Sequence, residues 1–388
     1  MDVAHSLQNA LVYLASFVVV LSVVVFVHEF GHFQVARWRK VAIDTFSIGF
    51  GKTLLGWRDR SGVQWKIGAL PLGGYVKFAD DADAMSTAPR ERIEDPKALA
   101  EARARGLFHA QPLLTRALVV AAGPVTNFIF AILAFAVFAF VVGRDTARID
   151  QVTPNSAAQA AGVRAGDLVV SIDGQHIDDF AAFQRKISTS LGQQLDVVVR
   201  RDGRDVALSM TPRPSQTNPQ IGAIGVVHNS SLQSFERIDA LTALRSGADK
   251  TWSIIAQTGS YVGQVLTGHA SGNQIAGVVG IFMVSGESAS SALSVQEVSW
   301  GQRLELLALT LLSLAAVLSV AVGFVNLLPI PILDGGHLLF YAIEAARGGR
   351  PLPPAAQEWA YRAGFAVMAS LFLFATWNDI TRLLPGPQ

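Results

Sequence analysis

His28-Glu29-Phe30-Gly31-His32 closes an apolar run that extends from Ala10 to Val27. On a helix, positions i and i+4 lie on the same face, so both histidines can point at one metal ion. Glu29 then lies beside the ion, where a carboxylate can take a proton from a bound water. The alternative is two surface histidines that share no ligand. We interpret the stretch as a membrane-spanning helix that ends in a metal site.

The composition is typical of a membrane protein. Of the 388 residues, 51% are hydrophobic and only 16% are charged, and the mean hydropathy is +0.36. Ordinary soluble proteins are less apolar and more charged. The net charge of +1 gives no indication of a nucleic-acid partner. Because the chain has no cysteine, disulfides and thiolate metal sites are excluded, and any zinc must be held by histidine or carboxylate.

Four apolar stretches predict four spans of a bilayer, at residues 10–27, 117–142, 304–328 and, as a shorter stretch, about 363–377. Residues 1–10 contain no Lys or Arg, which argues against a cleavable signal peptide. Arg37, Arg39 and Lys40 follow the first stretch, so the positive-inside rule predicts an amino terminus outside and the HExxH end at the cytoplasmic side. With four spans, the long segment between spans two and three is extracytoplasmic.

Residues 41–78 predict short strands joined by glycine turns. The β-prone runs are Thr45 to Ile48, Val63 to Ile67 and Tyr75 to Phe78. One interpretation is a hairpin, including Gly73 and Gly74, that approaches the active site and offers an edge to an extended substrate. The other is a small solvated hairpin. Residues 80–106 are rich in charge and alanine, and predict a polar linker with one short helix.

A small α/β domain is predicted at residues 147–214. Its run from Ser156 to Asp167 resembles the helix and turn of a bacterial PDZ domain. Such a domain binds a peptide or a chain end by strand addition, and a purely steric role fits the sequence equally well. Beyond it, Thr251 to Leu266 could lie along the membrane surface, and Gln274 to Val284 is apolar but too short to span.

The second half of the site is predicted in Asn326-Leu-Leu-Pro329-Ile-Pro331-Ile-Leu-Asp334-Gly-Gly-His337. Two prolines two residues apart cannot continue a regular helix, so the chain should unwind here. Asp334 is ionisable in apolar surroundings, which favours a metal-bound or functional group over an exposed interfacial carboxylate. Spans one and three run in the same direction, so Asp334 can meet the two histidines. Two His and one carboxylate make a catalytic zinc site.

Polar and small residues also interrupt the second apolar stretch. Gly123, Pro124 and Asn127 lie near its middle, and small residues let helices approach closely. Asn127 either orients a ligand or links two helices, and we favour the structural role. His337 is a further polar group near the predicted site, whereas His228 has no partner spacing and is expected to be an ordinary polar position.

These motifs occur together in the order seen in a known family. The HExxH motif, Leu70 to Lys77, Ala122 to Phe128 and Asn326 to His337 resemble the bacterial site-2 proteases of the RseP type, which are intramembrane metalloproteases. The resemblance implies Zn2+ held by His28, His32 and Asp334, Glu29 as general base and acid, and Asn326 in substrate binding. It also implies a hairpin with Gly73 and Gly74 close to the active site.

The resemblance implies a location and a substrate class. The expected chain is a multi-pass protein of the bacterial inner membrane whose amino terminus and PDZ domain are extracytoplasmic. The expected partners are the lipid bilayer and single-span membrane proteins, such as anti-sigma factors already trimmed by another protease or signal-peptide remnants. RseP has two tandem PDZ domains and this chain has room for one. The family's Gly-Pro-x-Gly-Ile element stands here as Gly277-Val-Val-Gly-Ile281, without proline.

The expected fold class is a multi-span α-helical membrane protein of about four transmembrane helices, with a cytoplasmic membrane-associated β-hairpin region and one extracytoplasmic α/β PDZ domain. In chain order the expected regions are the first helix with HExxH, the hairpin region and linker, the second helix, the PDZ domain, an extracytoplasmic or membrane-surface segment, the third helix with the Asn326 to His337 stretch, and the fourth helix with the carboxyl terminus. Their bounds are 1–36, 37–111, 112–143, 147–214, 215–302, 303–340 and 341–388.

The sequence therefore predicts an intramembrane zinc metalloendopeptidase whose PDZ domain gates access. The rival hypothesis is a non-catalytic PDZ-bearing membrane adaptor with a structural metal. Glu29 argues against the rival, because a structural metal site does not need a general base.

Overall fold

The computed structural model describes residues 3–79, 93, 95–177, 179–215, 219–228, 235–295 and 298–383. It divides into two compact units: a helical unit of residues 1–135 and 244–388, and a sheet unit of residues 136–243. The ten helices of the described residues are α1 Val3–Trp38, α2 Pro96–Ala104, α3 Leu113–Val142, α4 Ala157–Ala160, α5 Phe180–Thr189, α6 Ala240–Leu266, α7 Val278–Ser294, α8 Trp300–Asn326, α9 Asp334–Ala346 and α10 Pro354–Leu383.

Four of these helices are long and apolar enough to cross a membrane, in agreement with the sequence prediction. They are Asn9–Trp38 within α1, Leu113–Val142, Trp300–Asn326 and Pro354–Arg382 within α10. The fourth is longer than the predicted stretch at 363–377, because its helix continues into polar residues at both ends. The helix α7 is apolar but has only 17 residues, so it is too short to span.

The core of the helical unit lies along α8. Small buried residues on α8, including Ala315 and Ala316, contact apolar side chains of α1 on one side and of α3 and α6 on the other. Small side chains let helix axes come close, so the contact depends on van der Waals packing. Gly31 allows an equally close approach between α1 and α3, because a Cβ atom at this position would lie 2.5 Å from the backbone oxygen of Ala122.

The hairpin region differs from the prediction of several short strands. It is built from two long strands, β1 Ile43–Arg58 and β2 Gln64–Phe78, which bend and pair twice. Gly49 and Gly51 have φ values of 86° and 83°, which only glycine adopts easily, and they allow the bend in β1. Residues 45–48 consequently lie between residues 64–67 and 74–77, and residues 55–58 pair with the outer side of 64–67.

The sheet unit contains the remaining described strands, β3 Arg144–Asp145, β4 Gln151–Val152, β5 Leu168–Ile172, β6 Gln175–His176, β7 Leu195–Arg201, β8 Arg204–Met210, β9 Arg213–Pro214, β10 Gly222–Ala223, β11 Val226–Val227 and β12 Phe235–Glu236. Strands β6, β5, β7 and β8 form an antiparallel sheet in that order, and α5 packs on it through Phe183 and Ile187. Strands β11 and β12, which lie beyond the expected bound at 214, pair with β4 and β3.

His228 is not the ordinary polar position that the sequence suggested. Its ring is buried, its Nε2 lies 3.0 Å from both carboxylate oxygens of Asp145, and its Nδ1 lies 2.8 Å from the backbone oxygen of Arg148. Burial disfavours the charged ring, but the hydrogen bonds to Asp145 and Arg148 outweigh it and raise the pKa of His228. The pair joins the segment directly after β11 to the start of the sheet unit, across 83 residues.

Candidate metal centre

Three potential ligand atoms converge within the helical unit. Nε2 of His28 lies 3.2 Å from Nε2 of His32 and 3.2 Å from Oδ2 of Asp334. The third side of the triangle, from Nε2 of His32 to Oδ2 of Asp334, measures 3.4 Å. Among the described residues, this is the one group of three His, Cys, Asp or Glu side chains that could hold a metal ion. The structure thus brings together residues 28, 32 and 334, as the sequence predicted.

The size of this triangle fits a zinc ion. Zinc bonds to nitrogen and carboxylate oxygen are about 2.0–2.2 Å long, so two ligands of a tetrahedral ion are roughly 3.3–3.5 Å apart. The observed separations of 3.2–3.4 Å match that edge length. Oδ2 of Asp334 is also buried without a hydrogen bond from the described residues. A buried carboxylate oxygen that faces two imidazole nitrogens needs a cation or a proton beside it.

The local structure explains how each of the three potential ligand residues is positioned. His28 and His32 are one turn apart on α1, which continues through the motif to Trp38. Asp334 does not stand at the end of the third span, because α8 ends at Asn326 and Asp334 begins the separate helix α9. Pro329 and Pro331 cannot continue α8, and the unwound segment redirects the chain.

Two glycines allow the start of α9 to pack directly against the unwound segment that follows α8. A Cβ atom at Gly335 would overlap the backbone oxygens of Leu327 and Leu328, and one at Gly336 would overlap that of Ile330. Because neither position has room for a side chain, α9 begins directly against the unwound segment. This close contact sets the position of Asp334 relative to α1.

A cavity of about 590 Å³ opens at the three ligands, and Glu29 lines it. Asn326 and Gly74 line the same cavity, whereas Gly73 does not. Gly74 approaches Glu29 so closely that an added Cβ atom would lie 2.8 Å from Cγ of Glu29. Gly73 contacts Phe50 instead, since a Cβ atom there would overlap the Phe50 ring. The hairpin therefore reaches the ligands through Gly74 and its neighbours Tyr75 and Val76.

Span two contributes contacts that the sequence only partly indicated. The carboxamide nitrogen of Asn127 lies 3.2 Å from Nδ1 of His28, and the backbone oxygen of Val119 lies 2.8 Å from Nδ1 of His32. Gly123 lies between them, and α3 continues through Pro124 without a break. The Asn127 side chain is fully buried. No sequence signal marks Val119, because its contribution is a backbone carbonyl.

The far side of the cavity carries an ion pair that the sequence did not reveal. Arg116 of α3 donates two hydrogen bonds to Glu344 of α9, at 2.7 and 3.2 Å, and its guanidinium lies over the ring of Tyr341. The two side chains are 17% and 11% exposed. His337 also lines the cavity, and its ring lies near the rings of Phe340 and Tyr361.

Comparison with known proteins agrees with this geometry. The profile of "Peptidase family M50" matches residues 16–371, which is most of the chain. The chain belongs to peptidase family M50. This family membership confirms the prediction that the chain is a zinc metalloendopeptidase.

Three similar proteins cover nearly the whole chain. An Agrobacterium fabrum protein, provisionally named zinc metalloprotease Atu1380, is 41% identical over 96% of each chain. Metalloprotease MmpA of Caulobacter vibrioides is 38% identical over 96% of each chain. Protease RseP of Yersinia pestis is 29% identical, over 95% of this chain and 98% of its own. That alignment extends over 474 residues, so RseP carries sequence that this 388-residue chain lacks.

Proposed function

We propose that this M50 peptidase cleaves single-span membrane proteins within or near the bilayer. The observation that carries the proposal is the convergence of His28, His32 and Asp334 beside one cavity, where His28, Glu29 and His32 stand on a helix of membrane-spanning length. A structural metal site is closed by four protein ligands, whereas three ligands leave one position open. The three ligands and the adjacent cavity therefore favour a catalytic over a structural metal.

The residues present fit a hydrolytic mechanism. His28, His32 and Asp334 would hold Zn2+, which would supply Lewis acidity to the reaction. The Glu29 carboxylate accepts a proton from the attacking water as its oxygen bonds to the peptide carbonyl carbon. Glu29 then returns that proton to the leaving amine nitrogen as the C–N bond breaks. Asn326 lines the same cavity and has an amide that can hydrogen-bond the substrate backbone.

The hairpin supports binding of an extended substrate. Residues 74–77 pair with residues 45–48 on one side only among the described strands, and Gly74 and Tyr75 line the cavity. A substrate strand added at this open edge would have its peptide bonds beside Glu29. A transmembrane helix hides its amides in internal hydrogen bonds, so the substrate must unwind before this pairing.

Features of the sheet unit support the proposal that it restricts which substrates are admitted. Its four-stranded antiparallel sheet with α5, and the sequence from Ser156 to Asp167, are similar to a PDZ domain. We infer one such domain, because the described residues of the sheet unit form one four-stranded sheet. It would either bind a chain end or exclude substrates with intact ectodomains, such as anti-sigma factors that another protease has not yet trimmed.

The decisive experiment compares the wild type with Glu29→Gln in proteoliposomes. Both proteins should bind one zinc ion, because Glu29 is not a ligand, but only the wild type should cleave a single-span substrate. Removal of a general base should lower the rate by about 10²–10⁴-fold. Equal cleavage by the two proteins would refute the mechanism, and a zinc-free wild type would refute the metal centre. Offering the same span with and without a folded ectodomain tests the gate.

Orientation in the bacterial inner membrane is tested with single cysteines, since the chain has none of its own. Ser61→Cys lies in the exposed turn of the hairpin and Asp202→Cys in an exposed turn of the sheet unit. A membrane-impermeant maleimide added to spheroplasts should label Cys at 202 and not at 61. Labelling of position 61 alone would reverse the proposed topology.

A further inference from the structure

Both metal-binding imidazoles are contacted from the same face of α3, although α3 provides no ligand. Val119, Gly123 and Asn127 are spaced four residues apart, so they form one stripe along the helix. Val119 contacts His32, Asn127 contacts His28, and Gly123 lies against both rings. We propose that this stripe, the residues 119, 123 and 127, fixes the tautomer and position of the two histidines. The inference rests on the proposed zinc site.

Val119 determines the tautomer of His32 unambiguously. Nδ1 of His32 lies 2.8 Å from the Val119 carbonyl oxygen, which can only accept a hydrogen bond. Nδ1 therefore carries the hydrogen, and the neutral ring has its lone pair on Nε2. Nε2 of His32 lies 3.2 Å from Nε2 of His28 and 3.4 Å from Oδ2 of Asp334, so its lone pair is available where the three potential ligand atoms meet.

Asn127 can do the same for His28. Its carboxamide nitrogen lies 3.2 Å from Nδ1 of His28, and its oxygen is buried without a hydrogen-bond partner among the described residues. A half-turn of the amide exchanges the two atoms and makes the oxygen the acceptor of Nδ1–H. Nε2 of His28 then also keeps its lone pair. Zinc binding requires this orientation, because a protonated Nε2 cannot coordinate a metal.

Gly123 provides the space for both rings. A Cβ atom at this position would overlap Nε2 of His32 and lie 2.8 Å from Cε1 of His28. Any side chain would thus displace the coordinating nitrogens by far more than the tolerance of about 0.2 Å in a zinc site. The stripe thus combines a carbonyl, a position without a side chain and an amide on one face of α3.

The rival role for Asn127 is a link between helices, and the structure separates the two roles. The Asn127 backbone oxygen accepts a hydrogen bond from Ser319 of α8 at 3.1 Å, whereas its side chain contacts His28. Ser319→Ala therefore removes the link to α8 and leaves the amide intact. Asn127→Leu removes the amide and keeps the backbone link, with a side chain of similar size. Asn127→Asp keeps an acceptor at the same position.

The test measures zinc affinity by chelator competition in the detergent-solubilised full chain. We expect Asn127→Leu to bind zinc about 10–100-fold more weakly, as is usual when a partner of a ligating histidine is lost. Asn127→Asp should recover most of that affinity, and Ser319→Ala should bind zinc like the wild type. Zinc binding by Asn127→Leu within about twofold of the wild type, or equal loss in Ser319→Ala, would overturn the proposal.

A second measurement does not depend on any variant. In the zinc-loaded wild type labelled with 15N-histidine, nitrogen shifts should show Nδ1 protonated and Nε2 coordinated in both rings. Coordination through Nδ1 of either ring would overturn the assignment. If the wild type binds no zinc, the proposed function fails instead. If the wild type binds zinc and cleaves substrate, and Asn127→Leu binds zinc with the same affinity, only the proposed role of the stripe fails.

Discussion

The ion pair between Arg116 and Glu344 should act as a single unit that holds α9 against α3. The two side chains form two hydrogen bonds of 2.7 and 3.2 Å and are only 17% and 11% exposed. Removing one partner leaves the other charge buried and unpaired, which costs about 3–5 kcal/mol. Because both residues also line the cavity, water can reach them, and we expect the lower value of about 3 kcal/mol.

The perturbation is a double-mutant cycle of Arg116→Met, Glu344→Leu and the double variant. Each single variant should lose about 3 kcal/mol of unfolding free energy, whereas the double variant should lose less than either, since no unpaired charge remains. Unfolding is followed in mixed micelles by titration with a denaturing detergent. Arg362→Met, which removes an exposed pairing with Glu358, is the matched control and should change the stability by less than about 1 kcal/mol.

The cycle also reports on the metal centre. Glu344 lies on the same helix as Asp334, ten residues farther along, and Arg116 lies on α3 three residues before Val119. If the pair aligns these two helices, both single variants should bind zinc more weakly and the double variant should recover part of the loss. Losses in the double variant that equal the sum of the single losses would refute the reasoning, because two independent contacts behave in that way.

Two further predictions concern other parts of the chain. The raised pKa of His228 means that the charged ring stabilises the sheet unit fully below pH 6.5, and that this contribution is lost as the pH rises through the folded pKa. Hydrogen exchange of residues 144–152 and 224–228 in the wild type should therefore quicken with pH by more than the intrinsic exchange rate does. His228→Gln should abolish that extra pH dependence. Asp379 of α10 accepts hydrogen bonds from the backbone nitrogens of Gly277 and Gly280, at 3.1 and 2.9 Å, and so caps α7, which has no capping side chain of its own. Asp379→Ala should lose about 1–2 kcal/mol and speed exchange at these two amides, while the exposed Glu358→Ala, which removes the same charge from α10, should not.

Much of the fold was evident from local patterns. The four apolar helices follow from hydropathy, and the strands of the hairpin region follow from β-prone runs, because both signals depend on neighbouring residues. The hairpin shows where local signals fall short. Its glycines were interpreted as turns between short strands, but Gly49 and Gly51 bend one continuous strand of 16 residues. A positive φ permits either outcome, and only the pairing partners decide between them.

The sequence by itself determined the chemistry of the site. The spacing of His28 and His32 places both rings on one helical face, and Asp334 in apolar surroundings required a partner. Tertiary structure decided what these residues contact: Asp334 begins its own helix, Val119 and Asn127 contact the two rings, and Arg116 meets Glu344 across 228 residues. Sequence patterns report periodicity along one element, whereas these contacts depend on where helices cross. A backbone carbonyl such as that of Val119 has no residue type to reveal it, so its role could come only from the packed structure.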